Sequence, residues 1–169
     1  MRLIFNIVAF VCLLSVSALY GQPMASIEPA GPLQEVELPL VFQIGEYEES
    51  YEHLLGEYPE MLLGICDNDM SVAYDKWIAF LMEIEQHAES IGVDILGVKM
   101  WLNVFWDKNG NIQHIAFHLK PNSKNISTKD IENLLTDFAT HSHLNVIAEK
   151  PFSHYGSATF PTFPRRVNK

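Results

Sequence analysis

The chain has 169 residues, 48% of them hydrophobic, with 21 acids against 11 Lys and Arg and a formal net charge of −10. That length and composition suffice for one packed core, and that charge excludes the basic footprint a nucleic-acid partner demands. The acids are concentrated. Thirteen Asp and Glu lie between Glu46 and Asp94 with Lys76 the single cation there, whereas nine Lys and Arg outnumber five acids from Ile95 onward. The split reads as a solvated surface with attraction between the two halves.

Arg2 followed by an apolar run from Leu3 to Val16 reads as an export signal over residues 1–21. The run is too short to span a bilayer. Cleavage is expected after Gly21, with Ala18 the alternative, and Cys12 leaves with the signal. No later stretch reads as a membrane span, so a secreted or periplasmic chain is expected. Cys66 then has no cysteine partner, and its neighbours Leu62, Leu63 and Ile65 favour burial as a small hydrophobe.

Residues 22–40 read as an extended arm, because Pro23, Pro29, Pro32 and Pro39 with Gly31 deny it a helix. A single α+β domain is expected over residues 41–169. Its first helical spacing is Tyr47, Tyr51, Leu54, Leu55 and Tyr58, and Pro59 is placed to open a second short helix. The "DND" at Asp67–Asp69 fails as a calcium loop: Val72 stands where the loop needs Gly, and Ile78 where it needs a bidentate Glu. Asp69 instead caps a long amphipathic helix to about Ile91. Met70, Ala73, Trp77, Phe80, Leu81, Ile84, Ala88 and Ile91 line one face of it, and Gly92 stops it. Glu83 and His87, one turn apart there, are expected to be a solvated pair.

"MWLNVFWDKNGNIQHIAFHL", Met100–Leu119, reads as a hairpin reversing at Asp107–Gly110. A two-residue loop at Asn109–Gly110 pairs Trp106 with Gln113, Val104 with Ile115, Leu102 with Phe117 and Met100 with Leu119. A four-residue loop shifts partners but keeps the faces. Met100, Leu102, Val104, Ile115, Phe117 and Leu119 then form an apolar face. The other face gathers Trp101, Asn103, Phe105, His114 and His118, with Ala116, as the candidate ligand-binding set. Either a second layer covers that face or it is an open pocket with aromatic walls.

Ser127 or Thr128 caps a helix to about Thr140, with Ile131, Leu134, Leu135 and Phe138 buried. "NIS" at Asn125–Ser127 is a glycosylation acceptor in a eukaryotic secretory route. Candidate strands follow at Leu144–Glu149 and Ser157–Phe163, Pro161 confining the last to an edge or an end. "RRVNK" is a basic tail.

The order strand, turn, strand, helix, strand, with the "DKNGNI" reversal and the helix "STKDIENLLTDFA", resembles the TonB C-terminal-domain-like modules of cell-envelope proteins. The resemblance covers Val98–Phe163. The chain differs from that family in having a long helix ahead of the sheet and no retained membrane anchor before a proline-rich span. What the resemblance implies is a related sheet-and-helix domain used for protein or ligand contact. A cystatin-like or cone-shaped sheet wrapped on the long helix is the alternative arrangement.

The fold expected is therefore α+β: N-terminal helices, one long and amphipathic, packed on a small mainly antiparallel sheet of hairpin, helix and strand. No catalytic residue, metal ligand or cofactor is assigned. His114 and His118 are too far apart along a strand to chelate one ion, His141, His143 and His154 lack supporting carboxylate spacing, and "YGSAT" lacks the second glycine of a nucleophile elbow. The function expected is a non-catalytic exported module that binds a protein partner or small ligand through the hairpin face or a strand edge. Its rival is a small secreted or periplasmic enzyme, either histidine-dependent, with His118, His114 and Asn103 as acid, base and orienting groups, or metal-dependent.

Overall fold

A computed structural model describes residues 37–163. The export signal, the arm as far as residue 36 and the basic tail from residue 164 lie outside the described residues. The elements in chain order are β1 (Val41–Gln43), α1 (Glu48–Glu57), β2 (Glu60–Met61), α2 (Leu62–Ile65), α3 (Met70–Ser90), β3 (Lys99–Trp106), β4 (Ile112–Leu119), α4 (Thr128–His141) and β5 (Phe152–Thr159). The fold is α+β, as the residue pattern predicts. Among the described residues, no helix is long and apolar enough to cross a membrane.

The strands form one sheet in the order β1-β4-β3-β5-β2. Its centre is the antiparallel trio β4-β3-β5, and its two edges are short strands paired in parallel, β1 with β4 and β2 with β5. The sheet is thus mixed. The expectation of a mainly antiparallel sheet holds for the three long strands and misses the parallel edges, which are too short to show a period of two in sequence.

The hairpin aligns as its hydrophobic pattern requires: Met100 pairs with Leu119, Leu102 with Phe117 and Val104 with Ile115. Only the loop end differs, since Trp106 pairs with Ile112 rather than Gln113 across an irregularity next to Phe105. The turn closes around Asp107, whose Oδ1 accepts from the backbone N–H of Asn109 at 2.8 Å and of Asn111 at 2.9 Å. Asp107 N–H in turn donates to the Asn111 carbonyl at 2.9 Å. Capturing five residues in this way leaves Gln113 as the extra residue of a bulge.

The apolar face packs against α3 and α4. Met100, Leu102, Val104, Ile115 and Phe117 are at most 1% exposed, with Trp77, Phe80, Ile84, Ile131, Leu135 and Phe138 in the same cluster. Each such side chain contributes about 1.5–3 kcal/mol when fully removed from water. The expected caps are present: Asp69 Oδ1 accepts from Ser71 N–H at 2.9 Å and Val72 N–H at 3.1 Å, and Ser127 Oγ from Lys129 N–H at 3.2 Å. Met70 and Ile91, at the ends of the predicted stripe, are exposed.

Three expected elements are corrected. Leu144–Glu149 is not a strand; it hooks onto the hairpin turn, with Leu144 N–H donating to the Gly110 carbonyl and Ala148 N–H to the Lys108 carbonyl, both at 2.8 Å. Gly110 sits at φ +84°, and a Cβ there would overlap the Leu144 carbonyl oxygen. The last strand runs Phe152–Thr159, not Ser157–Phe163. Finally, Pro59 precedes β2, and the short helix begins at Leu62.

Topology places α1. Since β1 and β2 occupy opposite edges, the chain between them crosses the sheet's full width on the face away from α3 and α4. Four strand spacings are about 19 Å, and a ten-residue helix covers about 15 Å of that. A second layer is therefore present, one helix wide.

Candidate functional site

The structure divides the five predicted site residues into a covered group and an open group. Asn103 is 3% exposed and Phe105 is fully buried beneath α1, in a cluster with Phe42, Leu54 and Ala116. Tyr58 and Tyr51 meet the Phe105 ring edge-on at 5.1 and 6.2 Å. Asn103 Nδ2 donates to Tyr51 Oη at 3.0 Å, which leaves Asn103 Oδ1 buried without a partner. His114 is half-buried and its Nδ1–H donates to the Pro39 carbonyl at 2.9 Å. These three belong to the second layer's packing.

Trp101 and His118 lie beyond the reach of α1. They pair across β3 and β4 and both are exposed, Trp101 at 38%. The open ground extends onto β5, where Ser157 is the partner of Trp101 and Tyr155 that of Asn103. Tyr155 is 50% exposed and stacks on Trp101 with centroids 5.6 Å apart and planes 15° from parallel. Lys120 Nζ covers the indole at 3.8 Å from a ring centroid and donates to Ser157 Oγ at 2.5 Å. The indole is thus flanked by a phenol and an ammonium. What it presents to solvent is the rim of a braced ridge running Lys120–Trp101–Tyr155.

Beside the ridge runs the outer edge of β5. Phe160 N–H donates to the Val98 carbonyl at 3.0 Å, so inward bonding on this strand continues at every second residue, through Ala158, Gly156 and His154. Ser153, Tyr155, Ser157 and Thr159 therefore turn their backbone N–H and C=O away from β3. Strand β2 covers this edge only at Phe152 and Ser153. Among the described residues, Tyr155, Ser157 and Thr159 have no backbone partner on that side. The edge carries no Asp, Glu, Lys, Arg or Pro from Phe152 to Phe160, the devices that commonly blunt an exposed edge.

Tyr155, Ser157, Thr159 and Lys120 were not among the predicted site residues. Starting the last strand at Ser157 hid the parity of Tyr155. The signal was the alternation Phe152, His154, Gly156, Ala158, Phe160, every second residue facing the helices.

The three groups of the enzyme reading do not converge. His114 and His118 are four residues apart on one strand, about 13 Å, and Asn103 is spoken for by Tyr51. The histidines weighed as metal ligands also separate. His143 sits at a bridge to Asn111, while His154 is on the helix side of β5 with its ring 4.5 Å from that of Trp77. Burial among these groups pushes the His154 imidazole below its ordinary value. Cys66 is buried as expected, and that burial pushes its thiol up, away from the reactive thiolate.

No family model matches the chain, and neither the curated proteins nor the solved structures provide a match.

Proposed function

We propose that this chain is a non-catalytic exported module that binds a protein partner, gripping an extended segment of it along the outer edge of β5 and against the Lys120–Trp101–Tyr155 ridge. The observation that carries the reading is the unpaired backbone of Tyr155, Ser157 and Thr159 immediately beside two exposed, stacked aromatic rings. A strand added there gains main-chain hydrogen bonds from the edge, and its side chains on the open face meet a rigid Trp and Tyr, residue types that dominate interface energetics. Export is supported by the leader-like run Leu3–Val16.

The test is a display selection of random octapeptides on the folded domain, followed by amide hydrogen exchange with a selected peptide bound. Added protection is expected at the Tyr155, Ser157 and Thr159 amides and not at Gly156 and Ala158, which β3 already protects. Trp101→Ala is expected to weaken the selected peptides at least about tenfold, the loss of one aromatic contact of roughly 1.4 kcal/mol or more. Peptides that bind without changing these amides, and that ignore Trp101→Ala, overturn the reading.

A further inference from the structure

Away from the sheet's open face, two pairs of side chains meet between α3 and α4. Glu83 and His87 are one turn apart on α3, and Asp137 and His141 one turn apart on α4. His87 Nε2–H donates to Asp137 Oδ2 at 2.8 Å, with 19% of the His87 side chain exposed against 49% of Asp137. His141 Nδ1 stands 4.0 Å from Asp137 Oδ1, and the two imidazoles lie 6.4 Å apart at 26° to one another. Glu83 Oε2 accepts from Ser142 Oγ at 3.2 Å, further along the same seam. Beneath the imidazoles the seam is apolar, with Phe80 and Phe138 in edge contact at 5.4 Å. Two imidazoles and a carboxylate are thus gathered at a half-exposed mouth with a greasy floor.

We propose that this seam binds a divalent transition ion of the zinc class through His87, Asp137 and His141, with water in the fourth position. The donor set decides the class: two nitrogens and one carboxylate suit zinc and its neighbours, whereas calcium and magnesium require six or more oxygens. Two ligands about 2.0 Å from one tetrahedral ion are about 3.3 Å apart. The His87–Asp137 separation of 2.8 Å therefore widens by only about half an ångström when the ion takes the hydrogen's place. The hydrogen on His87 Nε2 passes to Nδ1 or to buffer, because imidazole binds an ion in its neutral form.

Among the described residues, no three such groups already surround one point. His141 is the group out of place. Its Nδ1 is within 2.8 Å of the Asp137 carbonyl of its own helix and 3.0 Å of Thr140 Oγ1, and its side chain is 70% exposed, so turning it toward Asp137 Oδ1 exchanges those two contacts for the ion. Once bound, the ion ties the end of α4 to α3.

The experiment is calorimetric titration of the tag-free chain with zinc chloride, repeated with cobalt chloride while recording visible absorption. One zinc per chain is expected, together with the intense cobalt bands of a four-coordinate site. His141→Ala and Asp137→Asn are each expected to weaken zinc at least about tenfold, while His118→Ala and His143→Ala leave it unchanged. Both loss variants are at half-exposed or exposed positions, so circular dichroism confirms that they fold. Absence of binding overturns the proposal, as does zinc binding that survives both loss variants or disappears in His118→Ala or His143→Ala.

Discussion

Gly156 lies directly beneath the indole of Trp77: a Cβ built on it would stand 2.8 Å from Trp77 Cε2 and 2.9 Å from Nε1. The contact joins the middle of β5 to α3, and the indole is held on its other sides by Phe80, stacked at 5.6 Å, and by His154. Gly156→Ala is therefore overpacking in a site that cannot give. It is expected to destabilise the fold by about 1–3 kcal/mol in urea unfolding. Trp77→Phe in the same chain is expected to recover part of that loss, so that the double variant costs less than the two singles added. Simple additivity would show that the two positions are not coupled.

Phe105 and Trp101 are four residues apart on one strand face, yet they differ in cover. Phe105→Ala opens a hole under α1 and is expected to cost about 3–5 kcal/mol, whereas Trp101→Ala on the ridge is expected to cost about 1 kcal/mol. Chemical denaturation of each variant reads the difference. Equal costs would mean that the second layer extends over Trp101.

Fluorescence offers an independent check of the same boundary. Trp77 and Trp106 are 6% and 0% exposed against 38% for Trp101. Acrylamide is expected to quench a single accessible component in the native protein, and Trp101→Phe to remove most of it. Undiminished quenching in that variant would place an accessible indole elsewhere.

Two titrations act on stability in separate windows. Partial burial raises the Asp107 carboxyl, but hydrogen bonds from the Asn111 side chain and from the backbone of Asn111 and Asn109 outweigh it and hold the group below its ordinary value. A carboxyl depressed on folding contributes stability above its unfolded value of about 3.9 that is lost as pH falls toward the folded one. His154 is depressed by burial. The unfolded chain takes up that proton first, so its contribution is complete above about 6.5 and is lost as pH falls from there. Urea midpoints between pH 8 and pH 3 are expected to show both losses. His154→Gln should flatten the upper one alone, and Asp107→Asn should reduce the lower one, where Asp94, held below its ordinary value by its hydrogen bond from Lys124, still contributes; a His154→Gln profile still falling near pH 6 as the wild type does would refute the assignment.

The long helices and the hairpin were legible because each is governed by one strong local signal: a stripe from Ala73 to Ala88 with a capping Asp69, and strict alternation around a reversal at Asp107–Gly110. Face membership followed from the alternation. What lies over a face did not, because Asn103 and Phe105 are covered by a helix whose placement depends on which edges β1 and β2 take. Those strands have three and two residues, and their pairing partners lie more than 70 and 90 positions away. Tyr155 is hidden in the sequence for a related reason. Gly156 and His154 weaken the apolar signal of β5, and both suit the flat side of Trp77 rather than a general strand preference.

The order of the strands also dictates a timetable for synthesis. Both edge strands leave the ribosome before the partners they need: β1 waits for β4, and β2 waits for β5, which is finished only at Thr159. Until then the strap bearing α1 has one anchor at most, the one that β1 gains once β4 is made. Its far end is thus among the last parts of the described fold to lock in place, after the β3–β4 surface it covers is already complete.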